Sequence, residues 1–179
     1  MASKTPPSEA LGAWLPGQRW FATKTRRITD VQVADAVELG PGVLLVVVVT
    51  LDDGTRDRYA VPVRPETEAV TDALDDAGYG RALLDLVARG ARSTGGRGEV
   101  RGVPAASALL TSATRLPVRR LTGEQSNTSV VFGDRLIMKH FRRLADGPNP
   151  EEEMTRFLTE RVRFPHTPQL AGHSRQMLA

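Results

Sequence analysis

A run of small polar residues, followed by a strand pattern and a lysine, is the part of this sequence best suited to chemistry. It lies within GEQSNTSVVFGDRLIMKHF, where Ser126, Asn127 and Thr128 precede Lys139. A loop of such residues between antiparallel strands can present backbone N–H groups and hydroxyls to phosphate oxygens. A lysine on the next strand can reach the same oxygens as a point charge. We therefore consider whether this segment holds phosphate.

A glutamate on the next predicted helix completes the arrangement. Glu153 lies fourteen residues after Lys139, which leaves room for a turn and the first turn of a helix. In phosphoryl-transfer enzymes a helix glutamate can hold the phosphate-binding lysine by an ion pair. The order of loop, strand, lysine and helix therefore predicts a nucleotide-phosphate site.

Each of these pieces also has an ordinary structural interpretation. Lys139 can be an exposed strand lysine, and the polar run at 126–128 can be a simple turn. Glu151 and Glu152 are expected to stabilise the helix start, where carboxylates complement the helix dipole. Neither standard phosphate motif is present: there is no G-x-x-x-x-G-K-[ST], and GEQSNTS has one glycine where G-x-G-x-x-G has three. The prediction therefore depends on the order of the pieces.

The elements that must position these residues are three short strands and a helix. The strands are predicted in RLPVRRLTGE, NTSVVFG and DRLIMKHF, with a turn at Gly133-Asp134 between the last two. The helix is predicted in NPEEEMTRFLTERV, with Asn149 as its N-cap, Pro150 at its first position and Glu152 in a capping box. FPHTPQLAGHS then leads towards a further strand.

The first half of the chain predicts a curved antiparallel sheet with helices. Ser8 is a plausible N-cap for a short helix that stops near Pro16. Three strand patterns follow, and Asp53-Gly54 predicts a tight hairpin that pairs Val46 to Val49 with Tyr59 to Val63. The continuous run 43–49 predicts a strand covered on both faces. A proline at position 62 favours a position near a sheet edge for the third strand.

Two further segments of the first half carry charge. PETEAVTDALDDAGYGRALLDLVARG predicts one or two helices and contains five carboxylates, which could form a metal site but are better explained as residues of helix starts and of a solvated face. RSTGGRGEVRG could bind an anion, but a mobile surface connection is the preferred interpretation. His140 and His166 lack partners at metal-ligand spacing and are expected to be structural. The five carboxylates are Glu66, Glu68, Asp72, Asp75 and Asp76.

Composition excludes several classes of function. The net charge is only +3 and aromatic residues make up 5% of the chain, so nucleic-acid binding is not expected. The chain has no cysteine, which rules out disulfides and thiolate metal sites. The N-terminus lacks an apolar h-region, and the longest apolar run is far shorter than the roughly 20 residues of a membrane helix. We therefore expect a soluble cytoplasmic protein.

Two groups of residues resemble a known family. WLPGQRWFATK near the start, together with GEQSNTSVVFGDRLIMKHFRRL and GPNPEEEMTRFL, looks like the N-terminal part of actinobacterial maltokinases. These are aminoglycoside-phosphotransferase-like enzymes with the eukaryotic-type protein kinase fold. The resemblance implies an α+β chain with a cap domain at residues 1–112 and a kinase-like N-lobe at 113–179, whose C-lobe is absent.

The resemblance also implies site residues, cofactors and partners. It places Ser126, Asn127 and Thr128 in a phosphate-covering loop, Lys139 against the α- and β-phosphates of ATP, and Glu153 as the partner of that lysine. Magnesium ligands and the catalytic Asp of an H-x-D motif would lie in the C-lobe, because no H-x-D occurs in this chain. The expected reaction converts ATP and maltose to ADP and maltose 1-phosphate. Alternatives are a kinase for glucosamine or another small sugar, and a non-catalytic module that docks trehalose synthase.

Overall fold

The chain has an α+β fold, as predicted, in the residues that the computed structural model describes: 5–65, 69–123 and 126–178. The helices are α1 (Ser8–Trp14), α2 (Ala77–Arg89), α3 (Ser107–Ala113) and α4 (Pro150–Arg156). The strands are β1 (Ile28–Leu39), β2 (Gly42–Leu51), β3 (Arg56–Val63), β4 (Arg92–Thr94), β5 (Gly98–Pro104), β6 (Val118–Arg120), β7 (Asn127–Phe132), β8 (Leu136–Phe141), β9 (Arg143–Leu144) and β10 (Gly172–Leu178). Short 3₁₀ turns occupy Leu15–Gly17 and Ala73–Asp75, and a π-helical turn, Phe157–Arg161, follows α4.

The largest sheet is antiparallel and has the strand order β1-β2-β3-β9. Its β2–β3 hairpin confirms the predicted turn, but the register is only partly as predicted. Val46 and Val47 lie opposite Ala60 and Tyr59, whereas Val48 and Val49 lie opposite Arg58 and Asp57, outside the predicted partner stretch. At the turn, the Leu51 N–H donates to Thr55 O at 2.9 Å and the Gly54 N–H donates to Leu51 O at 3.0 Å. Gly54 has a φ of 82°, which glycine adopts without a Cβ penalty.

Strand β2 is covered on both faces, as its continuous run of apolar residues predicts. One face carries Val47 and Val49, which pack with Trp20 and Phe21 from the segment after α1. The other face carries Leu44, which packs in the same cluster as the buried residues of α2. Since almost every side chain of β2 is removed from water, this strand is the centre of the first half of the chain.

The Gly/Arg-rich segment forms a hairpin, so its prediction as a mobile surface connection is wrong. Strand β4 pairs with β5, and the turn between them lies against the buried carboxylate of Asp35. Oδ1 of Asp35 accepts the Arg97 N–H at 3.0 Å. A Cβ on Gly95 would lie 2.6 Å from the same oxygen, so the glycine lets the turn close over the carboxylate.

Strand β5 approaches helix α2 so closely that Gly102 has no room for a side chain. A Cβ at this position would lie 2.2 Å from the backbone oxygen of Leu86 and 2.6 Å from the Cα of Val87. We expect Gly102→Ala to lower the free energy of unfolding in urea by about 1–3 kcal/mol, because backbone must move to accept the methyl group. Gly17→Ala is the matched control, since a Cβ there meets no atom within 4 Å. Equal stability of the two variants would contradict the observed packing.

The second half of the chain contributes strands to the sheets of the first half. Strands β6, β7 and β8 form the predicted small antiparallel sheet, and their turn at Gly133 has a φ of 58°. Strand β9 then adds to the edge of β3, and β10 pairs along the length of β5. The strand predicted after the last helix is therefore present. It completes the β10-β5-β4 sheet, whose first strand, β4, begins at Arg92.

Of the two helix starts predicted from capping residues, one is confirmed and one is displaced by a residue. Helix α1 has Pro7 at its N-cap and Ser8 as its first helical residue, so the predicted cap is wrong by one position. Helix α4 has Asn149 as its N-cap and Pro150 at its first position, as predicted. None of the described helices is long and apolar enough to cross a membrane.

Candidate phosphate-binding hairpin and its buried anchor

Lys139 lies on β8 and pairs with the helix that follows. Its ammonium contacts Oε1 of Glu151, and the two side chains are 41% and 45% exposed. The predicted partner was Glu153, which is exposed. Glu151 and Glu153 lie about 200° apart around the axis of α4, so they cannot both face β8. The structure therefore pairs Lys139 with Glu151 instead of Glu153, and this ammonium is open to solvent on one side.

The predicted phosphate loop divides between the two faces of the β7–β8 hairpin. Asn127 and Thr128 are the first two residues of β7, and Ser126 comes just before it. Side chains alternate along a strand, so Asn127 shares a face with Lys139 and Thr128 lies on the opposite face. Thr128 is buried and is not placed to cover a nucleotide. The phosphate-binding role of Ser126 and Asn127 stays a prediction.

The face opposite Lys139 holds a buried ion pair between Arg142 and Asp72, which we call the buried anchor and which was not predicted from the sequence. Arg142 is 0% exposed, and its Nη2 lies 2.5 Å from Oδ2 of Asp72. Its Nε and Nη2 donate to Oγ1 of Thr128 at 2.9 and 2.8 Å. Burial lowers the pKa of Arg142, and the adjacent carboxylate of Asp72 opposes that shift. Removing one partner of such a pair typically costs about 3–5 kcal/mol, because the other charge stays buried.

Two further contacts fix Arg142 in place. Its guanidinium carbon lies 4.6 Å from the ring centroid of Trp20, within the range of a cation–π interaction. Its carbonyl oxygen accepts the N–H of Ala60, on β3, at 2.7 Å. The side chain and backbone of one residue therefore contact the segment after α1, strand β3, strand β7 and the turn before α2.

The acidic segment before α2 acts in caps and ion pairs. Asp72 caps the 3₁₀ turn by accepting the Leu74 N–H at 3.0 Å, and Asp76 caps α2. Arg120 donates to Asp75 at 2.6 Å and lies 3.5 Å from Oδ2 of Asp72. These three carboxylates therefore have protein partners, which favours the helix-start interpretation over a metal site. Glu66 and Glu68 lie outside the described residues.

The carboxylate of Glu152 links α4 to β10 and does not complete a capping box. Its Oε1 contacts Arg156 in the next turn and accepts from Arg175 at 3.4 Å. Nδ1 of His173 lies 3.6 Å from the same oxygen. Half of the predicted capping box is present, because Oδ1 of Asn149 accepts the Glu152 N–H at 3.2 Å. The Glu152 carboxylate, which would supply the other half, contacts the two arginines instead. Consecutive glutamates thus link α4 to two sheets, with Glu151 contacting β8 and Glu152 contacting β10.

His140 lies between Lys139 and the buried anchor. Its Nε2 lies 3.3 Å from the carbonyl oxygen of Ala60, and a neutral ring protonated at Nε2 can donate that hydrogen bond. Burial, together with the positive charge of Arg142, lowers the pKa of His140 to about 3. The ring is therefore neutral at physiological pH, and its expected structural role agrees with this geometry.

We expect His140 to make the protein acid-sensitive. The unfolded chain binds a proton at His140 below about pH 6.5, whereas the folded chain resists it until about pH 3. Stability is therefore lost as the pH falls through this window, with a limiting slope of about 1.4 kcal/mol per pH unit. Urea unfolding at pH 7 and pH 5 should show a smaller loss in His140→Gln than in the wild type. His166→Gln, at an exposed ring, should lose as much as the wild type, and equal losses in all three would contradict the assignment.

The fold and this arrangement define an α+β protein in which the β1-β2-β3-β9 sheet, which we call the cap sheet, is joined to a lysine-bearing hairpin and a helix. Residues 14–94 match the family model described as the maltokinase N-terminal cap domain. This part of the chain is therefore similar to a maltokinase N-terminal cap domain, which agrees with the resemblance seen in the sequence. The match runs from the end of α1 through β4 and spans just under half of the chain. Lys139 and α4 lie beyond the matched residues, and the boundary at residue 112 stays a prediction.

Proposed function

We propose that this chain is the N-terminal region of an ATP-dependent sugar kinase of the cytoplasm. The proposed reaction transfers the γ-phosphoryl group of ATP to the anomeric hydroxyl of maltose. The maltokinase cap domain at residues 14–94 is the observation that carries this proposal. The antiparallel hairpin and helix that follow, with a lysine–glutamate ion pair between them, support it.

The outer face of the β7–β8 hairpin is the part of the chain proposed to receive the nucleotide. Lys139 supplies a positive charge there, and Ser126 and Asn127 supply polar groups at the start of β7. Bound ATP would supply the phosphoryl group. Glu151 would orient the ammonium, so that the charge is in position before phosphate oxygens arrive.

The described residues offer contacts for a nucleotide phosphate but no binding site for magnesium. They contain no group of three or more acidic, histidine or cysteine side chains that could hold a metal ion. Glu151 and Glu152 are engaged with cationic side chains. The proposal therefore assigns metal ligands and the catalytic carboxylate to a C-lobe, and gives these residues contact with nucleotide phosphates alone.

The acceptor sugar is tested with the gene product that includes this chain. Purified protein is incubated with ATP and either maltose or glucosamine, and ADP and sugar phosphate are measured. We expect maltose to be consumed with formation of maltose 1-phosphate. A preference for glucosamine would mean that the protein is a kinase whose acceptor is glucosamine instead of maltose. A gene product that consumes no ATP with any sugar, yet binds trehalose synthase, would overturn the kinase in favour of a docking module.

A further inference from the structure

The chain passes from the lysine-bearing sheet into the cap sheet at a single residue. Strand β8 ends at Phe141 and β9 begins at Arg143, so Arg142 alone separates them. β8 pairs with β7, whereas β9 pairs with β3 of the cap. A displacement of Arg142 would therefore shift a strand in each of the two sheets.

The guanidinium of Arg142 joins the same two parts of the molecule. Asp72 and Trp20 hold it from the cap, and both residues lie within the segment that matches the maltokinase cap model. Thr128 holds it from the hairpin through two hydrogen bonds. Planar guanidinium groups make such directional contacts in a fixed geometry, which a lysine cannot reproduce.

Lys139 lies close in sequence to Arg142, and its partner on β7 is adjacent to Thr128. It lies three residues before Arg142 on β8, and its Cα partner on β7 is Ser129, the neighbour of Thr128. The neighbour His140 is in turn fixed against Ala60 of the cap. Tilting the hairpin at Arg142 would therefore move Lys139 relative to Glu151, whose helix is held separately through Glu152 and β10.

We propose that Arg142 is a positioning residue through which the cap sets the place of Lys139. Asp72 and Trp20 fix the guanidinium, the guanidinium fixes Thr128 and the hairpin, and the hairpin presents Lys139 to Glu151. Contact of Lys139 with phosphate rests on the proposed function. The coupling of the cap to the position of Lys139 does not. The cap then acts on the proposed nucleotide site through Arg142.

The chain offers a direct spectroscopic test, because it has only three lysines. Protein labelled with ¹³C-lysine gives three side-chain Cε signals by NMR, and Lys139→Arg identifies the one of interest. Glu151→Gln provides the reference shift for an unpaired Lys139. We expect Thr128→Val and Asp72→Asn to move the Lys139 signal by at least half of that reference shift, with the Lys24 signal unchanged. Thr128→Ser, which keeps the hydroxyl, should restore the wild-type position.

The matched control removes the ion pair of the residue next to Arg142, which joins β9 to β3. Asp57 contacts Arg143 at 2.6 Å, but Arg143 is largely exposed, so Asp57→Asn should leave the Lys139 signal in place. A Lys139 signal that stays in place in Thr128→Val, or moves equally in Asp57→Asn, would overturn the coupling. If Asp72→Asn does not unfold cooperatively, the comparison of valine and serine at position 128 decides. Because no nucleotide is added, a failure of the proposed kinase activity would leave this result unaffected.

Discussion

Replacing Lys139 by alanine in the proposed kinase is expected to lower turnover about 100-fold or more, a loss typical of removing one preorganised electrostatic contact to a transition state. A 100-fold loss corresponds to about 2.7 kcal/mol of activation free energy. The folded state should lose far less. Exposed ion pairs contribute about 0–1 kcal/mol, and both side chains of the Lys139–Glu151 pair are more than a third exposed. The measurement is the rate of maltose 1-phosphate formation beside the urea midpoint.

Lys24→Ala is the control for this prediction. Lys24 is also exposed, so its removal changes the net charge equally without touching the hairpin. We expect Lys24→Ala to retain the wild-type rate. Turnover of Lys139→Ala within a factor of two of wild type would remove Lys139 from the site.

The choice between the two glutamates is resolved by the same assay. Glu151→Gln should lower turnover, because Glu151 is the residue that holds the ammonium in the structure. Glu153→Gln should have little effect unless nucleotide binding rotates α4. A larger loss in Glu153→Gln would restore the pairing that the family resemblance implies, and would show that the helix turns when the site is filled.

Local sequence patterns predicted the strands and turns well, because those elements depend on periods and on single turn residues. The continuous valine run predicted β2 with both faces covered, and Asp53-Gly54 predicted its hairpin. The helix start at Asn149-Pro150 was also predicted correctly, since an N-cap is determined by two adjacent residues. In each case the physical cause lies within a few residues of the element.

The buried anchor could not be predicted in this way, because its partners are distant in sequence. Strand alternation continued past the end of β8 would place Arg142 on the same face as His140, but no prediction was made for Arg142 from the sequence. Its partner Asp72 lies seventy residues earlier and looked like one of several acidic residues at a helix start. Only tertiary structure shows which of those carboxylates meets the arginine.

Two errors have a similar origin. The Gly/Arg-rich segment looked like a loop because its glycines fit no strand pattern, yet they let the β4–β5 turn close over Asp35. Thr128 was grouped with its polar neighbours, although strand alternation separates it from Asn127. Polar composition alone does not distinguish a residue that faces solvent from one that satisfies a buried arginine.

The 179-residue chain by itself is expected to transfer no phosphoryl group to maltose. Phosphoryl transfer requires the nucleotide phosphates, the metal and the acceptor hydroxyl to be held in line, and most of the catalysis comes from that positioning and from electrostatics. The proposed nucleotide site has Lys139, already paired with Glu151, and the sequence of the chain contains no H-x-D motif. Its described residues provide no ligand cluster for a metal.

The corresponding assay follows ADP release from ATP, magnesium and maltose with the purified chain, using the Lys139→Ala chain as background. We expect the two to be indistinguishable, and ATP affinity to be weak, because a one-sided site leaves the adenine largely in water. Activity above the Lys139→Ala background would mean that this chain contains a catalytic carboxylate that its motifs do not reveal. The carboxylates of the acidic segment would then be an unsuitable place to look, because Asp72, Asp75 and Asp76 are engaged as caps and ion partners on the cap side of the hairpin. The outer face around Asn127 and Lys139 would be the place to search instead.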